Sequence, residues 1–386
     1  MRMHKQYLFA TPILAFFTAV ASGQITTVAT GLNNPRGLAF GPGGILYVGE
    51  AGLGAGNGLG GVGLGLGFTG SVGEIRDVSS ANPTYQRIIT GFASNADSGG
   101  VTGPDGVSPL GNGDIHIIMS ESTEKILADD PNADPPAANQ LGRLLKSSQS
   151  GDWKVVADVG DFNCEWSAQN KDAPWAPAGQ FPDANPYAVL SVPGHQYVAD
   201  AGSNTIDEVS QNGSIRVMAF VPNPLVNLGG RVIPVADSVP TCVAQGPDGY
   251  LYVGTLAFGA YFASGHTAQS KVYRFNPALW NAVLTDSDVW ASGFYPITGC
   301  GFGPGGFYVT EYFTTSPGAP GALINIALNP DGSAGARTTM GGGQLKFPNG
   351  FAAGADGSVY VSNHSTSPGV AQTSGAPVGQ VVRVDQ

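Results

Sequence analysis

The stretch Pro35-Arg36-Gly37-Leu38-Ala39-Phe40-Gly41-Pro42-Gly43-Gly44-Ile45-Leu46-Tyr47-Val48-Gly49-Glu50 reads as a β-hairpin. Two short runs suited to a pleated surface flank a Gly-Pro-Gly-Gly turn. The same plan returns from Pro104, ending Ile117-Ile118-Met119-Ser120-Glu121, and from Pro186, ending Gln196-Tyr197-Val198-Ala199-Asp200. It returns again from Pro240 to Thr255, from Ile297 to Glu311 and from Pro348 to Asn363, which makes six copies. The turns Gly246–Gly249, Gly303–Gly306 and Gly354–Gly357 repeat the Gly chemistry of the first. Their Asp and Gly residues are turn formers; a calcium loop needs a denser set of oxygen ligands.

Two more strands are expected after most hairpins. Third strands read at Gly73–Val78, Leu141–Leu145, Thr205–Val209, Lys271–Phe275, Ala322–Ala327 and Gln380–Val384. Fourth strands read at Tyr85–Ile89, Trp153–Ala157, Ile215–Phe220, Asp288–Ala291 and Arg337–Met340. Four strands per unit, repeated radially, make a propeller blade, so the fold class is all-β, a six-bladed β-propeller. The last unit runs out of chain after its third strand, while Ile25–Thr30 looks like a fourth strand without a blade. Ring closure by that N-terminal strand is the expected solution, because it hides both open edges. Gly52–Gly70, Ser122–Asn139 and Asp161–Asp183 (with Trp166 and Trp175) read as long loops, and loops of that length are often functional.

The chain opens with Arg2, His4 and Lys5, then an apolar run from Tyr7 to Val20, then small residues at Ala19, Ala21 and Gly23. This reads as a signal peptide over 1–23, leaving one propeller domain over 24–386 and a periplasmic or extracellular destination. The formal net charge is −11, and the leader carries cations but no acids, so the exported chain is more acidic still. Such a chain is a poor nucleic-acid ligand and a poor partner for anionic membranes. A cationic or neutral small molecule or protein, or a divalent metal ion, is easier to accommodate; a monomer is expected. Charged residues are only 12% of the chain and Gly numbers 58, which favours strands and tight turns over helices. Of the three cysteines, Cys242 and Cys300 fall at neighbouring positions on consecutive first strands, either bridged or as two buried thiols.

The first strand of each unit should line the axis. The small residues Gly37, Gly106, Ala188, Cys242, Gly299 and Gly350 fit crowding there. The residues just before them are polar or amphipathic: Arg36, Asp105, Tyr187, Thr241, Thr298 and Asn349. Antiparallel pairing sets the ends of the second strands beside them, and these carry Glu50, Glu121, Asp200, Thr255, Glu311 and Asn363. One channel mouth is therefore the candidate ligand site, with Arg36, Asp105, Tyr187, Asn349, Asn363 and His364 as binding candidates. Glu50, Glu121, Asp200 and Glu311 are the candidate metal ligands, since hard cations take such oxygens. The competing reading is architectural: an acid or amide ending a strand commonly bonds nearby turn backbone. His116, His195 and His266 are scattered, without metal-ligand spacing, and no nucleophile elbow or phosphate loop is present.

The run from Ala29 to Gly52, with Asn185-Pro186-Tyr187-Ala188-Val189-Leu190, Tyr197–Gly202 and Val239–Gly254, resembles the ScyD/ScyE family of exported bacterial propellers. The resemblance covers nearly the whole mature chain and shares motifs with NHL-type repeats. It implies an exported six-bladed propeller and no settled chemistry. The chain departs at Pro104-Asp105-Gly106, where the family more often has Pro-His-Asp. Two functions follow as expectations: a binding scaffold, and a metal-dependent lactone or ester hydrolase resembling the SMP-30/gluconolactonase propellers, with Glu50, Asp200, Glu311, Asn185, Asn349 and Asn363 as its candidates. A quinoprotein sugar dehydrogenase would want a basic, His-bearing pocket that this sequence scarcely offers.

Overall fold

The computed structural model describes residues 23–56, 63–148, 151–234, 237–368 and 378–385. The expected leader, Gly23 aside, lies outside the described residues, as does 57–62 of the Gly-rich stretch.

Six antiparallel sheets follow one another around a ring. Blade 1 comprises Pro35–Phe40, Leu46–Glu50, Gly65–Arg76 and Thr84–Ala96. Blade 2 comprises Pro104–Pro109, Ile115–Met119, Arg143–Ser147 and Trp153–Asp158. Blade 3 runs Pro186–Val192, His195–Asp200, Thr205–Ser210, Ile215–Phe220, and gains Ala282–Val283 as a parallel edge. Blade 4 runs Pro240–Gln245, Leu251–Thr255, Ser270–Phe275, Val289–Phe294; blade 5 runs Ile297–Gly303, Gly306–Glu311, Ala322–Leu328, Ala334–Met340. Blade 6 has Phe351–Ala353, Val359–Asn363 and Gly379–Val384, and its outer strand is Ile25–Leu32 from the other end of the chain. The ring is closed as the sequence implied.

Each first strand packs on the first strands of both neighbours, Phe351–Ala353 on Pro35–Phe40 included. The axis is as crowded as the small residues suggested. A Cβ on Gly350 would come within 2.4 Å of the Arg36 carbonyl oxygen, and one on Gly299 within 2.2 Å of that of Asn349. Between blades, the second-strand tyrosines are the recurring core. Tyr252 packs on Phe302 (4.9 Å between ring centres), Tyr308 on Phe351 (4.9 Å), and Tyr360 on Phe40 (5.4 Å). Each such pair joins one blade to the next, the last across the ring closure, and contributes about 0.5–1.5 kcal/mol beyond its buried area. Cys242 and Cys300 form a disulfide that ties blade 4 to blade 5.

The connections differ from the sequence expectation. Part of Gly52–Gly70 is strand: Gly65–Gly70 extends the third strand of blade 1 and pairs with 92–96. Ser122–Asn139 folds into α1 (Thr123–Asp129) and α2 (Pro135–Ala138), and Asp161–Asp183 carries most of α3 (Val159–Asn170). The starts of α1 and α3 have side-chain caps: Ser122 Oγ accepts from the Lys125 amide and Asp158 from that of Asp161. Such caps satisfy orphan N–H groups of a first turn. A fourth short helix, α4 (Phe258–Ala263), follows blade 4's second strand. Among the described residues no helix is long and apolar enough to cross a membrane.

Candidate functional site

Strand direction sorts the connections onto two rims. Chain leaving a second strand and chain reaching the next first strand share the rim that bears Arg36, Asp105, Tyr187, Thr241, Thr298 and Asn349. On that rim lie α1 and α2, α3, the hairpin Leu225–Leu228/Arg231–Pro234 and α4. The opposite rim has mostly tight turns, the longest connection there being 276–288. The two ends of the ring are therefore unlike, and the loop-bearing rim is the candidate functional face.

At the channel mouth the structure brings Arg36, Asp105, Tyr187 and Asn349 together, and they bind one another. Arg36 Nε donates to Asp105 Oδ1 (3.2 Å), Nη1 to the Ser365 carbonyl (2.9 Å) and Nη2 to the Val101 carbonyl (2.7 Å). One buried guanidinium thus joins blades 1 and 2 to a blade 6 connection. Asn349 Nδ2 donates to the Tyr187 hydroxyl. Blades 3 and 6 are opposite in a ring of six, so this bond is a bar across the axis. Burial pushes the Asp105 carboxyl up to about 6, with Arg36 opposing, and the Tyr187 phenol up to about 12. Thr241 and Thr298 donate to the carbonyls of Ile297 and Pro348 (2.7 Å each), which staples neighbouring first strands. Beneath the bar is a channel cavity of about 300 Å³, walled by first-strand backbone and the disulfide.

The second-strand ends do not converge; each serves its own blade. Glu50, fully buried, accepts from the Asn33 amide (2.6 Å), from Arg87 Nε and Nη2 (2.9 and 2.6 Å), from Ser71 Oγ and from the Tyr85 hydroxyl. Asp200 Oδ1 accepts the amides of Asn185, Gly202 and Ser203 at 2.8–3.0 Å. Glu311 Oε1 accepts the Tyr295 amide (2.9 Å), and Asn363 Oδ1 that of Lys346 (2.7 Å). The rule is common to blades 1, 3, 5 and 6: the acid or amide ending the second strand holds a backbone N–H just ahead of the first. That is the architectural reading. Blade 2 departs from it, because Pro104 pairs with Met119 and Glu121 falls two residues past the strand, at φ +67°. Among the described residues no group of three or more His, Cys, Asp or Glu stands close enough to hold a metal ion. His364 sits beside Asn363, its amide bonded to the Lys346 carbonyl (2.7 Å) and its ring held below the usual range by burial. His116 of blade 2 is buried against Ser191 of blade 3 and pushed down to about 4 by burial; His195 bonds the Tyr197 hydroxyl, and His266 stacks on Tyr261.

Sequence reasoning missed two features of the loop-bearing rim. One half is acidic. Burial, then Asp97, pushes Glu121 up to about 7 with Lys125 opposing; burial, then Asp200, pushes Asp183 up to about 6, and Asp237 adds to it. The other half is aromatic. Phe258 of α4 lies 5.4 Å from Phe313 and 5.7 Å from Tyr312, which packs at 5.1 Å on Phe347. Apart from Glu121, which the repeat placed at the end of a second strand, no repeat signal marks these residues, because they come from connections and not from the copied hairpin.

Burial also pushes Glu311 up to about 7. A carboxyl raised in the folded state stabilises the fold below its unfolded pKa, and that contribution is lost as pH rises through the folded value. Glu311 is therefore expected to cost about 2 kcal/mol of stability between pH 5 and pH 8. Gln at 311 keeps the acceptor for Tyr295, so Glu311→Gln should flatten that slope in urea titrations across the interval. An unchanged slope would mean that Glu311 does not titrate there.

No family model matches the chain, and no curated protein matches it. Solved structures do. A Thermus thermophilus protein named as an oxidoreductase (glucose dehydrogenase) superposes with a TM-score of 0.55 at 16% identity, over 94% of this chain and all of that one. This likeness shows the ring fold alone. The PQQ-bound aldose sugar dehydrogenase of Streptomyces coelicolor gives 0.49 at 11% identity over 95% and 98% of the two chains. Virginiamycin B lyase of Staphylococcus aureus gives 0.41 at 12% identity over 88% and 82%. The mouth itself offers one guanidinium, Arg36, and that is already shared with Asp105.

Proposed function

We propose that this chain is an exported binding propeller, akin to the ScyD/ScyE proteins it resembles, that takes a cationic or neutral organic ligand or protein segment on its loop-bearing rim. The observation that carries this reading is the pairing on one rim of raised-pKa carboxyls, Glu121 and Asp183, with the aromatic wall of Phe258, Tyr312 and Phe347. Carboxylates attract a cation and aromatic faces stack on it or on an apolar face. The barred channel then acts as floor and not as passage.

The test is calorimetric titration with a small polyamine. At pH 8.5, above the raised values of Glu121 and Asp183, two triple variants carry the same change of charge. One is Glu121→Gln/Asp183→Asn/Asp237→Asn on the rim; the other is Asp248→Asn/Asp331→Asn/Asp356→Asn on the opposite end. The rim triple should lose at least about tenfold in affinity, about 1.4 kcal/mol. Equal losses in both would reduce the binding to net charge and defeat the assignment of the face.

A metal-dependent lactone or ester hydrolase is the second reading, favoured by one feature. Glu121 sits near neutrality at the rim, where a general base is most effective. It requires a divalent ion to raise the melting temperature of chelator-stripped protein by mass action. No rise with Ca²⁺, Mn²⁺, Zn²⁺ or Mg²⁺ would remove it.

A further inference from the structure

One buried cluster lies outside the channel, where α3 meets blade 3. Asn163, on α3, is fully buried over blade 3, and its Nδ2 donates both to Asp200 Oδ2 (2.9 Å) and to Asp207 Oδ2 (2.7 Å). Thr205 Oγ1 adds a second donor at Asp207 Oδ2 (3.2 Å). Asp207 is itself fully buried, on the third strand of blade 3; among the described residues the other buried acid on a third strand is Glu74 of blade 1, and that one is paired with Arg76.

The hydrogen-bond inventory leaves two atoms over. Both N–H groups of the Asn163 amide are used, one on each carboxyl. Asn163 Oδ1 and Asp207 Oδ1 are buried without a partner. Both belong to the two side chains already joined through Nδ2 and Oδ2. A primary amide and a carboxyl have nearly the same spacing between their two polar atoms. When one edge of the pair is bonded, the other edges face each other if the groups are coplanar. Two facing oxygens repel unless one of them carries hydrogen. The amide cannot supply it; a carboxylic acid can. Asp200 is the poorer place for a proton, because its Oδ1 already receives three backbone N–H groups.

We propose that Asp207 is a carboxylic acid that closes a two-bond pair with Asn163, so that α3 is a strap held on blade 3 while the proton is present and released when it is lost. The charges around the pair agree. Burial, and then the neighbouring Asp200 charge, both disfavour a second negative charge on Asp207, and no cation offsets them. The adjacent Glu208 points to the other face of the strand, where it pairs with Arg216. On the α3 side, Asp158 and Asp161 are engaged by Arg143. Asp183, from the chain after α3, lies near Asp200 and adds only negative charge. What α3 would move matters, because α1 and α3 together wall a cavity of about 690 Å³ lined by Lys125, Phe162, Cys164 and Pro182. Loss of one proton would thus loosen one wall of that cavity while the propeller beneath stays intact.

The experiment uses the whole chain and Asp207→Asn. An asparagine keeps both edges of the pair, accepting through Oδ1 and donating through Nδ2, without the ionisable proton. Three readouts are expected together. The difference infrared spectrum, wild type minus Asp207→Asn at pH 7, shows a carboxylic-acid C=O band. The variant melts several degrees higher than wild type at pH 8 and less so at pH 5. Amide exchange in α3, corrected for intrinsic rates, accelerates with pH in wild type and not in the variant. A variant that melts lower at every pH, with no acid band, would mean that Asp207 is ionised and would overturn the proposal. So would a stabilisation of the wild type by Ca²⁺ or Na⁺ that Asp207→Asn abolishes, since the missing positive charge would then be a metal ion.

Discussion

Arg36→Ala is expected to lower the stability of the fold by about 3–5 kcal/mol, the usual cost of stripping one partner from a buried ion pair. The side chain makes three bonds to three parts of the ring, at Asp105, Val101 and Ser365. Its loss leaves a buried carboxyl without its cation and two buried carbonyls without a donor. Some of the cost is recoverable: Asp105, pushed up to about 6, can take a proton as the pH falls. Arg36 holds that carboxyl down, so its removal raises it further; the deficit should shrink as the pH falls from 8 toward 6 and level off below, and adding Asp105→Asn should restore part of it at pH 8. Arg36→Lys should recover little, because an ammonium cannot serve three divergent acceptors. Urea titration at pH 8 is the check. A loss below about 1 kcal/mol would place Arg36 among surface-like ion pairs and contradict its role as the joint between blades 1, 2 and 6.

Removal of the chain through Leu32 should be more damaging still. Ile25–Leu32 is the outer strand of blade 6, paired with Gly379–Val384, and it buries Val28 and Leu32. Each such side chain contributes about 1.5–3 kcal/mol of burial. Val381 and Val382, now fully buried, would lie on an open edge. The sum approaches the whole stability of an ordinary domain, about 5–15 kcal/mol, and an exposed apolar edge invites pairing between chains. Size-exclusion chromatography should show aggregates or no folded monomer. A monomeric product with wild-type melting would refute closure by this strand.

The repeat made the fold legible because it is copied. Six copied hairpins, five of them opened by Pro and one by Ile297, with their Gly turns and an orphan strand at one end, leave little besides a closed ring. The same copying misled the search for a site. Glu50, Asp200, Glu311 and Asn363 looked like ligands gathered at one mouth, yet the structure spends each on backbone N–H groups of its own blade. A residue repeated in every blade answers a need that every blade has. Arg36, Asp105, Tyr187 and Asn349 lie at one mouth, but their mutual bonds depend on which blades lie adjacent or opposite, and strand patterns do not show that. The helices were hidden for a different reason. α1 to α3 are short and lie among Pro, Asp and Ala with little apolar period, so the caps at Ser122 and Asp158 and the prolines opening α2 were the local signals. The acidic and aromatic halves of the rim come from separate connections, far apart in sequence, and only the ring puts them on one face.

The most direct test of the binding face is an amide hydrogen-exchange footprint of the whole protein with and without a saturating small polyamine. The expected result is protection confined to the loop-bearing rim, at 97–103, 121–125, 183–187, 237–241 and 312–314, with the turns 41–44, 246–250 and 354–358 unchanged. Protection on those turns, or none anywhere, would contradict the assignment of the loop-bearing rim as the binding face.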